Sequence, residues 1–512
     1  MRHEHYAHTA GQRRFARALE FLPGTLSWSI LLGSVVLSFF VPVWVAVFII
    51  LFDLYWLLKV VYHIVYLVTS FRRLKENVSK DWLGRVLDHA KFPSIRHLVV
   101  IPTYTEGVNV LRSALDSIAN SDYPNEKFFV VLAFEERVGR EEAQARADQM
   151  RAEFGDVFGE FLTTFHPDDI EGEIAGKGSN QAWAAQQAVR RIEELGWNID
   201  DVIVSVFDSD TVAHPKYFAL LTERYLHHPE PHRVSYQPIP MFFNNLWDAP
   251  ALMRVIAMSH TFWMMMEQGR PERLVTFSSH SMSLRALLDI DYWSTNVVSE
   301  DSRVFWQAFL RYDGNYAVEP LFLPIYMDTV LADTYVGSIV NQYKQQRRWA
   351  YGIENIPFVF MGFLRNKRIP FLKKLLYGSR LLEGFVSWAT YAIMIFALGW
   401  LPLLLGGDEF TRTYLAASLP FVTQILMTLS MVGAFVAATL SMLLLPARPA
   451  KHGQHKFAFM LLQWFLLPVT TILLGSLPAL DTQTRVIFKR YLGFWVTPKA
   501  RKDEVVQGRT LT

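Results

Sequence analysis

Long apolar tracts on either side of a more polar middle section constrain the fold of this chain more than any other feature. The first tract runs from Phe21 to Ser70 and is almost continuously apolar. It is too long for one membrane-spanning helix of ~20 residues and suits two, so we predict a helical hairpin that turns near Val41 and Pro42. Three further apolar tracts follow the middle section, at 384–405, 419–445 and 457–479. The pattern indicates a multi-pass membrane protein with a soluble domain between its membrane parts.

Basic residues flank the first hairpin and predict its orientation. They are concentrated in residues 1–20 and in the sequence FRRLK at 71–75. Because basic loops tend to stay in the cytosol, the N-terminus and the middle domain are expected there, with the protein in the plasma (inner) membrane. A secretory signal peptide at 13–45 is the alternative. It is disfavoured because a second apolar run follows at once, without a cleavage site of small residues.

The last apolar tract, 457–479, is difficult to place. A full crossing there would carry the basic sequence TRVIFKRYLGFWVTPKARK (484–502) to the outer side, against the same tendency of basic segments. Pro468 lies near the middle of the tract and allows a broken or re-entrant helix. We expect a re-entrant helix, although the sequence alone leaves both arrangements open. The basic, amphipathic stretch at 356–380 is expected to form helices on the inner surface, in contact with membrane lipid.

The middle section alternates between short β-rich runs and helical stretches. The β-rich runs lie at 97–107, 128–137 and 201–210, and the helical stretches lie at 107–120, 139–154 and 177–195. Alternation of this kind predicts a parallel sheet covered by helices on both faces. All three runs end in acidic residues, among them Glu106, Glu135, Asp208 and Asp210. Because ligands of such sheets bind beyond the carboxyl ends of the strands, we expect a binding site there.

Composition excludes several classes of function. The net charge is only +2, with 50 basic and 48 acidic residues, so nothing indicates a nucleic-acid partner. The chain contains no cysteine, which rules out disulfides, thiolate metal sites and a cysteine nucleophile.

Two acidic motifs are candidates for metal binding and for base catalysis. The strand ending VFDSD places Asp208 and Asp210 two positions apart, where both carboxylates can share Mg²⁺ or Mn²⁺ and so hold a diphosphate. The sequence SED (299–301) offers Asp301 as a base that removes a proton from an acceptor hydroxyl. Each motif has a simpler explanation, an ordinary loop for the first and the N-terminal cap of the helix SRVFWQAFL for the second.

Two basic motifs suit a diphosphate and a sugar. In QQRRW (345–349), Arg348 can bind diphosphate oxygens, and Trp349 offers a face on which a sugar ring can stack. In GKGSN (176–180), Lys177 stands at a predicted helix start, where exposed N–H groups favour an anion. The simpler explanations are an Arg–Trp pair at the membrane interface and a solvated lysine in a turn.

In this order, the motifs resemble those of the membrane-embedded family 2 glycosyltransferases, the group that contains cellulose, hyaluronan and chitin synthases. The sequence FWVTPK (494–499) is also similar to the FxVTxK gating loop of that family. The resemblance covers most of the chain and implies an α/β GT-A domain, Rossmann-like with a mostly parallel sheet, embedded in an α-helical transmembrane protein. The implied parts are a basic segment with a transmembrane hairpin (1–75), a cytosolic GT-A catalytic domain (76–350), amphipathic interface helices (351–380), a second transmembrane region (381–480) and an interface segment with a gating-loop-like cytosolic tail (481–512).

The resemblance also implies a reaction and a cofactor. The expected reaction is an inverting, Mg²⁺- or Mn²⁺-dependent transfer from a nucleotide sugar, expected to be UDP-linked, to a glycan or a lipid-linked acceptor. Carried over to this sequence, Asp301 is the general base, and Asp208 and Asp210 are the metal ligands. Substrate-binding roles are implied for Tyr104, Glu106, Glu135, Lys177, Asp208, Gln345, Arg348, Trp349, Thr497 and Lys499.

Departures from the family pattern leave the nucleotide base and the sugar open. The second strand ends in FEER where the family has an aspartate pair, the first loop reads PTYTEG where the family often has YNE, and SED replaces TED. Three functions remain. QQRRW and the gating-loop-like sequence favour processive polysaccharide synthesis coupled to translocation over transfer of a single sugar to a lipid-linked acceptor. A non-enzymatic transporter or scaffold is disfavoured by the intact Asp208, Asp210 and Asp301.

Overall fold

The computed structural model describes residues 7–497 of the 512-residue chain and begins with a pair of long helices. They are α1 (Ala10–Phe40) and α2 (Pro42–Ser79), and the chain turns between them at Val41. The predicted hairpin is therefore confirmed, with its turn at the expected place. The C-terminal end of α2 reaches the soluble domain, where Nδ2 of Asn77 donates a hydrogen bond to the carbonyl oxygen of Leu321 over 2.9 Å.

Within the described residues, the soluble domain contains an eight-stranded sheet with the strand order β3-β2-β1-β4-β7-β6-β8-β5. The strands are β1 (Arg96–Pro102), β2 (Phe128–Glu135), β3 (Glu160–His166), β4 (Val202–Val206), β5 (Val212–Ala213), β6 (Val234–Met241), β7 (Ser281–Ser283) and β8 (Ala317–Tyr326). Pairing is parallel from β3 through β4 and between β6 and β8. It is antiparallel around the short strands β7 and β5.

Helices cover both faces of this sheet, as the alternating pattern predicts. They are α3 (Leu83–Val86), α4 (Val108–Ala119), α5 (Arg140–Phe154), α6 (Lys177–Glu194), α7 (Tyr217–His227), α8 (Ala251–Gln268), α9 (Leu284–Asp289), α10 (Glu300–Arg311) and α11 (Tyr335–Ala350). Because successive side chains of a strand face opposite sides, Val99 and Ile101 of β1 enter the core under α4, α5 and α7. Leu98 and Val100 enter the core under α6, α9 and α10.

Sequence reasoning located β1, β2 and β4 and missed the other five strands. β3 lies at the edge of the sheet, is mostly half-buried, and its sequence EFLTTFH has no long apolar run. β5 and β7 contain only two and three residues. β6 and β8 pair across a long separation, for example Val234 with Ala317. Strands of this kind depend on partners that are distant in sequence, which a local pattern does not reveal.

The C-terminal part of the chain is helical and apolar. Its helices are α12 (Asn355–Arg365), α13 (Phe371–Ile393), α14 (Leu401–Leu405), α15 (Gly407–Thr411), α16 (Tyr414–Leu444), α17 (His455–Leu462), α18 (Leu467–Thr471) and α19 (Leu477–Ile487). The boundary expected at 380/381 between interface helices and membrane region falls inside α13, which continues unbroken from its basic first turns into an apolar half.

In the described part of the chain, five helical segments are long and apolar enough to cross a membrane: Ala10–Phe40, Pro42–Ser79, Phe371–Leu398, Tyr414–Leu444 and His455–Ile487. Many of their large apolar side chains are exposed, including Phe40, Trp44, Phe421 and Phe435. Exposed apolar surface on this scale is expected of helices that face lipid.

Both ends of the last segment, His455–Ile487, contact the soluble domain. Near its start, Nζ of Lys456 donates to the carbonyl oxygen of Trp247 over 3.0 Å. Near its end, Oγ1 of Thr482 donates to the carbonyl oxygen of Arg347 over 2.9 Å. The helix is also interrupted before α18, which begins at the predicted proline break. The same segment is long and apolar enough to cross a membrane, so a full crossing and a re-entrant helix both stay candidates for it.

Candidate active site

Lys177 brings two of the acidic motifs together at the carboxyl edge of the sheet. Its Nζ lies 2.7 Å from Oδ1 of Asp208 and 2.8 and 2.9 Å from the two carboxylate oxygens of Asp301. It also lies 3.7 Å from Oε1 of Glu300. The ammonium therefore bridges the DxD acid and the acid predicted to be the base. Sequence reasoning placed Lys177 on a phosphate, whereas here it contacts carboxylates.

The backbone on either side of Lys177 is closely packed. Lys177 is the first residue of α6 and follows Gly176, where a Cβ would stand 2.5 Å from the ring of Phe494. A Cβ on Gly178 would lie 3.0 Å from the carbonyl oxygen of Ser294. The helix start is therefore packed directly against Phe494 and the loop before α10, which favours glycine on both sides of the lysine.

Glu354 holds the loop that carries the SED motif. Its Oε1 accepts hydrogen bonds from the backbone nitrogens of Val298 and Ser299, over 2.7 and 2.9 Å, and from Oγ of Ser299 over 2.9 Å. Ser299 precedes α10 but its side chain does not cap the helix. The simpler explanation of SED as the N-terminal cap of this helix is therefore not supported by a capping hydrogen bond from Ser299, and both acids lie in the first turn of α10. Asp301 lies in the first turn of α10, where its carbonyl oxygen accepts from Oγ1 of Thr276 over 2.6 Å.

Burial and charge act in opposite directions on Lys177 and Glu300. Burial lowers the pKa of the Lys177 ammonium, but Asp208, Asp301 and Glu300 outweigh it and hold that pKa above its ordinary value. Burial and the neighbouring Asp301 raise the pKa of Glu300 to about 8, although Lys177 and Arg348 oppose the shift. Glu300 is therefore protonated at neutral pH, and the cluster carries one cation and two carboxylates.

The raised pKa of Glu300 predicts a pH-dependent stability. Because the folded protein holds this proton up to about pH 8 and the unfolded chain releases it near pH 4.5, the Glu300 contribution is lost as pH rises between these values. The loss amounts to at most about 1.4 kcal/mol per pH unit. Thermal unfolding of the detergent-solubilised protein from pH 5 to 9 measures it. Glu300→Gln is expected to flatten the profile relative to wild type, and two parallel profiles would contradict this prediction.

Asp208 and Asp210 have different surroundings. The side chain of Asp210 is fully buried, and its Oδ2 accepts from the backbone nitrogen of Asp328 over 2.8 Å. Nδ2 of Asn244 donates to the backbone carbonyl oxygen of Asp210 and to Oδ1 of Asp328, over 2.9 Å each. The side chain of Asp208 is 23% exposed and faces the opening of the site. Asp208 is therefore the acid of the pair that a ligand reaches first.

The acids of this site fit a metal that a bound diphosphate completes. Among residues 7–497, no group of three or more His, Asp or Glu side chains is arranged to hold a metal ion by itself. Mg²⁺ in phosphate-transfer sites is commonly held by one or two carboxylates together with substrate phosphates. Asp208 and Asp210 supply such carboxylates, and the Lys177 ammonium stands at a position beside Asp208 where a cation is stabilised.

A small cavity lies at the ends of β2 and β3, and its lining includes Ala175, close in sequence to Lys177. Glu135 pairs with Arg137, whose guanidinium lies 4.1 Å from the ring centroid of Tyr104. His166 and Glu173 line the same cavity and are joined by a 2.8 Å contact. Burial raises the pKa of Glu135 even though Arg137 opposes the shift. An aromatic face beside a carboxylate and a guanidinium suits a flat group with N–H donors, such as a nucleobase.

Glu106 has a structural part in this region. Its Oε2 accepts hydrogen bonds from the backbone nitrogen of Tyr104 over 2.6 Å and from Oγ1 of Thr103 over 3.1 Å. Arg146 holds the same loop by donating to the carbonyl oxygens of Tyr104 and Glu106, over 2.9 Å each. Glu106 therefore orients Tyr104, and its carboxylate is turned toward its own loop.

The QQRRW motif at the end of α11 meets the C-terminal segment. Nε2 of Gln345 lies 3.4 Å from Oγ1 of Thr497, and the guanidinium of Arg348 lies 4.9 Å from the ring centroid of Phe494. Within the described part of the chain, the buried Nε of Arg348 has no hydrogen-bond partner. Phe494 and Thr497 thus contact α11, and Phe494 also contacts the start of α6. Lys499, the other residue predicted in this segment, lies outside the described residues.

Trp349 belongs to an aromatic surface next to these groups. Its ring packs edge-on against His260 at 4.9 Å between centroids, and it lies 5.9 Å from Phe242. Burial lowers the pKa of His260 to about 4, so this imidazole is neutral at physiological pH. Trp349 and His260 line a second cavity together with Gln345 and Asp328. The surface is uncharged and half-buried, as a platform for a sugar ring requires.

Sequence reasoning missed several residues that shape the site. Arg137 stands two positions after Glu135 in FEER, and this close spacing of opposite charges could have predicted their ion pair from the sequence. Glu354, Asp328 and His280 had no such signal, because each reaches the site from a different part of the sequence. His280 is buried with its Nδ1 at 4.0 Å from Oδ1 of Asp301, and burial lowers its pKa.

The site lies at the carboxyl edge of a mostly parallel sheet in an α/β domain. It contains a DxD acid, a second acid that contacts the same lysine as the first, and a guanidinium. This architecture is typical of a glycosyltransferase that uses a nucleotide sugar. The chain belongs to glycosyl transferase family group 2, whose model matches residues 203–479. It is therefore an enzyme that transfers sugar. The predicted fold class, an α/β GT-A domain in an α-helical membrane protein, is confirmed.

Comparison with solved structures gives distant matches. The mannosyltransferase PcManGT from Pyrobaculum calidifontis, in complex with GDP-Man and Mn²⁺, is 16% identical with a TM-score of 0.38, covering 75% of this chain and 97% of that one. S. aureus TarS 1-349, in complex with UDP-GlcNAc, is 14% identical with a TM-score of 0.36, covering 67% and 90%. Comparison with curated proteins found no match.

Proposed function

We propose that this glycosyltransferase is similar to the membrane-embedded synthases of polysaccharides and extends a glycan by inverting transfer from a nucleotide sugar. The observation that carries the proposal is the single cluster of Asp208, Lys177 and Asp301. In this cluster Asp208 is the acid on the donor side, Lys177 is the cation for the diphosphate, and Asp301 is the base for the acceptor. Both aspartates are in direct contact with the lysine. Arg348 and Phe494 are in contact with each other, and Phe494 packs at the start of the helix that carries Lys177.

Asp301 acts in this proposal as the general base. Its carboxylate takes the proton of the acceptor hydroxyl while the oxygen of that hydroxyl forms a bond to the anomeric carbon of the donor. On the opposite side of that carbon, the bond to the diphosphate oxygen breaks, and the nucleoside diphosphate leaves with the electron pair. One displacement of this kind inverts the anomeric configuration, and no covalent intermediate with the enzyme is needed.

Donor binding falls to groups on either side of the base. Tyr104, Glu135 and Arg137 would receive the nucleobase, which we expect to be uracil. Lys177 and Arg348 would bind the diphosphate through charge-assisted hydrogen bonds. Mg²⁺ or Mn²⁺, held by Asp208 with Asp210, would neutralise the charge that develops on the leaving diphosphate. Thr497 and Lys499 would close over the loaded donor.

The acceptor side favours a growing glycan. An aromatic surface is formed by Trp349, His260 and Phe242. Such a surface suits the stacking of the terminal sugar of an acceptor. We expect the catalytic domain in the cytosol and the protein in the plasma (inner) membrane, because basic segments flank the first hairpin. Transfer of one sugar to a lipid-linked acceptor is the second candidate, because the site lies against helices with lipid-facing apolar side chains.

Product analysis tests the proposed function. Purified full-length protein is incubated with radiolabelled UDP- and GDP-sugars in turn, with Mg²⁺ or Mn²⁺ and membrane lipid. We expect released nucleoside diphosphate together with a polymer that enters a sizing gel. An organic-soluble product that carries one sugar would favour the second candidate. Absence of transfer from every donor, by folded protein, would contradict both.

Replacing Trp349 by alanine is expected to reduce polymer formation by tenfold or more while hydrolysis of the donor by water falls much less. Stacked aromatic faces position an acceptor sugar, whereas water needs no such platform. Sugar transfer and nucleoside diphosphate release are measured in parallel. Trp263→Ala is the matched control, since Trp263 is an exposed tryptophan on α8. Equal loss of both activities in Trp349→Ala would indicate a defect of the donor site or of folding instead.

A further inference from the structure

We propose that the Lys177 ammonium is an internal cation that occupies the metal-facing side of Asp208 until a donor diphosphate draws it away, so that metal and nucleotide sugar bind as a coupled pair. The proposal rests on the proposed function, in which Asp208 is a metal ligand. It concerns a residue whose expected role was phosphate binding alone.

The first support is the position of the ammonium. Nζ of Lys177 lies 2.7 Å from Oδ1 of Asp208, which is the distance of a strong charge-assisted hydrogen bond. A divalent cation bound to the same carboxylate would lie ~2.1 Å from the oxygen. Two cations on one carboxylate group repel each other strongly when they are only a few ångströms apart. A metal that enters at Asp208 must therefore compete with Lys177.

The second support is the burial of the lysine. Its side chain is 11% exposed and belongs to the first residue of α6, directly after Gly176, which packs against Phe494. A buried ammonium must stay paired, because an unpaired buried charge costs several kcal/mol. Asp208, Asp301 and Glu300 surround the ammonium and satisfy this requirement with the protein's own side chains. Metal alone offers Lys177 no new partner.

A donor diphosphate removes the conflict because it brings new anionic oxygens. The ammonium can turn from Asp208 to a phosphate oxygen and stay paired, while Asp208 becomes available to the metal. The same movement withdraws Lys177 from the two oxygens of Asp301, which lie 2.8 and 2.9 Å away. The base is thus shielded from an acceptor hydroxyl until the donor is in place.

A lysine that only binds phosphate would behave differently when removed. Loss of a phosphate-binding group weakens the nucleotide and leaves the metal affinity of the empty site unchanged. Loss of an internal competitor weakens the nucleotide and tightens the metal. The sign of the change in metal affinity, measured without nucleotide, separates the two roles.

Binding of Mn²⁺ alone to the full-length protein in detergent, followed by the loss of the free-ion signal in electron paramagnetic resonance, provides the test. We expect Lys177→Met to bind Mn²⁺ at least tenfold more tightly than wild type when no nucleotide is present. UDP and GDP, titrated with saturating Mn²⁺, are expected to bind Lys177→Met more weakly. Lys177→Arg keeps the cation and should retain the weak Mn²⁺ binding of wild type. Lys91→Met, an exposed lysine of the same domain, is the control.

Removal of Lys177 leaves acids without a counter-ion, so a second variant guards against misfolding. Lys177→Met combined with Glu300→Gln keeps the third group of the cluster neutral even when its positive neighbour is gone, and should show the same gain in Mn²⁺ affinity. Both folded variants, Lys177→Met and the double variant, could instead bind Mn²⁺ no more tightly than wild type. If that binding still depends on Asp208, the internal-cation role is overturned and the proposed metal site is left intact. Equal Mn²⁺ binding by wild type and Asp208→Asn would instead show that Asp208 is not a metal ligand, and would refute both the proposed metal site and this inference.

Discussion

Asp301→Asn is expected to reduce sugar transfer by about 10²–10⁴-fold while donor affinity stays within a few-fold of wild type. The amide keeps the size of the carboxylate and can still accept a hydrogen bond from Lys177, but it cannot take a proton from the acceptor. Lys177 also keeps its partner Asp208 at 2.7 Å, so the donor side of the site should remain formed. Nucleoside diphosphate release measures the rate, and isothermal titration with the donor measures the affinity.

The control for this substitution is a surface aspartate of the same domain. Asp313 pairs with the exposed Arg368 at 3.0 Å and has no contact with the cluster of Lys177. Asp313→Asn should therefore leave transfer unchanged. Turnover near the wild-type rate in Asp301→Asn would refute the assignment of the base. Loss of donor binding together with turnover would indicate that Asp301 mainly anchors Lys177.

Asp208→Asn is expected to lower transfer by about 10²–10³-fold, which corresponds to ~3–4 kcal/mol of lost transition-state stabilisation. Asp208 faces the opening of the site and would lose its charge toward both the metal and Lys177. The residual activity should depend less on Mg²⁺ or Mn²⁺ than wild-type activity does. Rates over a metal titration, with and without EDTA, measure both effects.

Asp210→Asn is the informative comparison for Asp208→Asn. Because the Asp210 carboxylate is fully buried and accepts from the backbone nitrogen of Asp328, its replacement should also lower the melting temperature. Asp208→Asn should change stability less, since its side chain is partly exposed. Full activity of wild-type protein after exhaustive EDTA treatment would contradict the metal role of both aspartates.

Local patterns were enough to predict the elements that carry the donor side of the site. The apolar runs of β1, β2 and β4 are each fully or almost fully buried, and a helix follows β1 and β2 and precedes β4. Parallel strands align their carboxyl ends, so Glu135 and Asp208 could be assigned to one edge before any contact was known. The turn of the first hairpin was likewise predictable, because a proline follows an apolar run of helix length.

Lys177 illustrates what such patterns leave undetermined. Its place at a helix start predicted an anion as partner, and the partners in the structure are the carboxylates of Asp208 and Asp301. The electrostatic preference of a helix N-terminus is local and can be read from the sequence. Which anion satisfies it depends on how α6 packs beside the loop before α10, held from the far side by Glu354.

The sequence by itself determined the membrane hairpin and the parallel sheet covered by helices, because both follow from hydrophobic periodicity. It also determined which acidic and basic side chains are available near the strand ends, because this follows from side-chain chemistry. Tertiary structure alone decided the pairing of β6 and β8, the docking of His455–Ile487 along the soluble domain and the contacts among the charged groups. Those features join segments that are far apart in the chain. Their free energy comes from packing and from desolvated charge, neither of which any single segment contains.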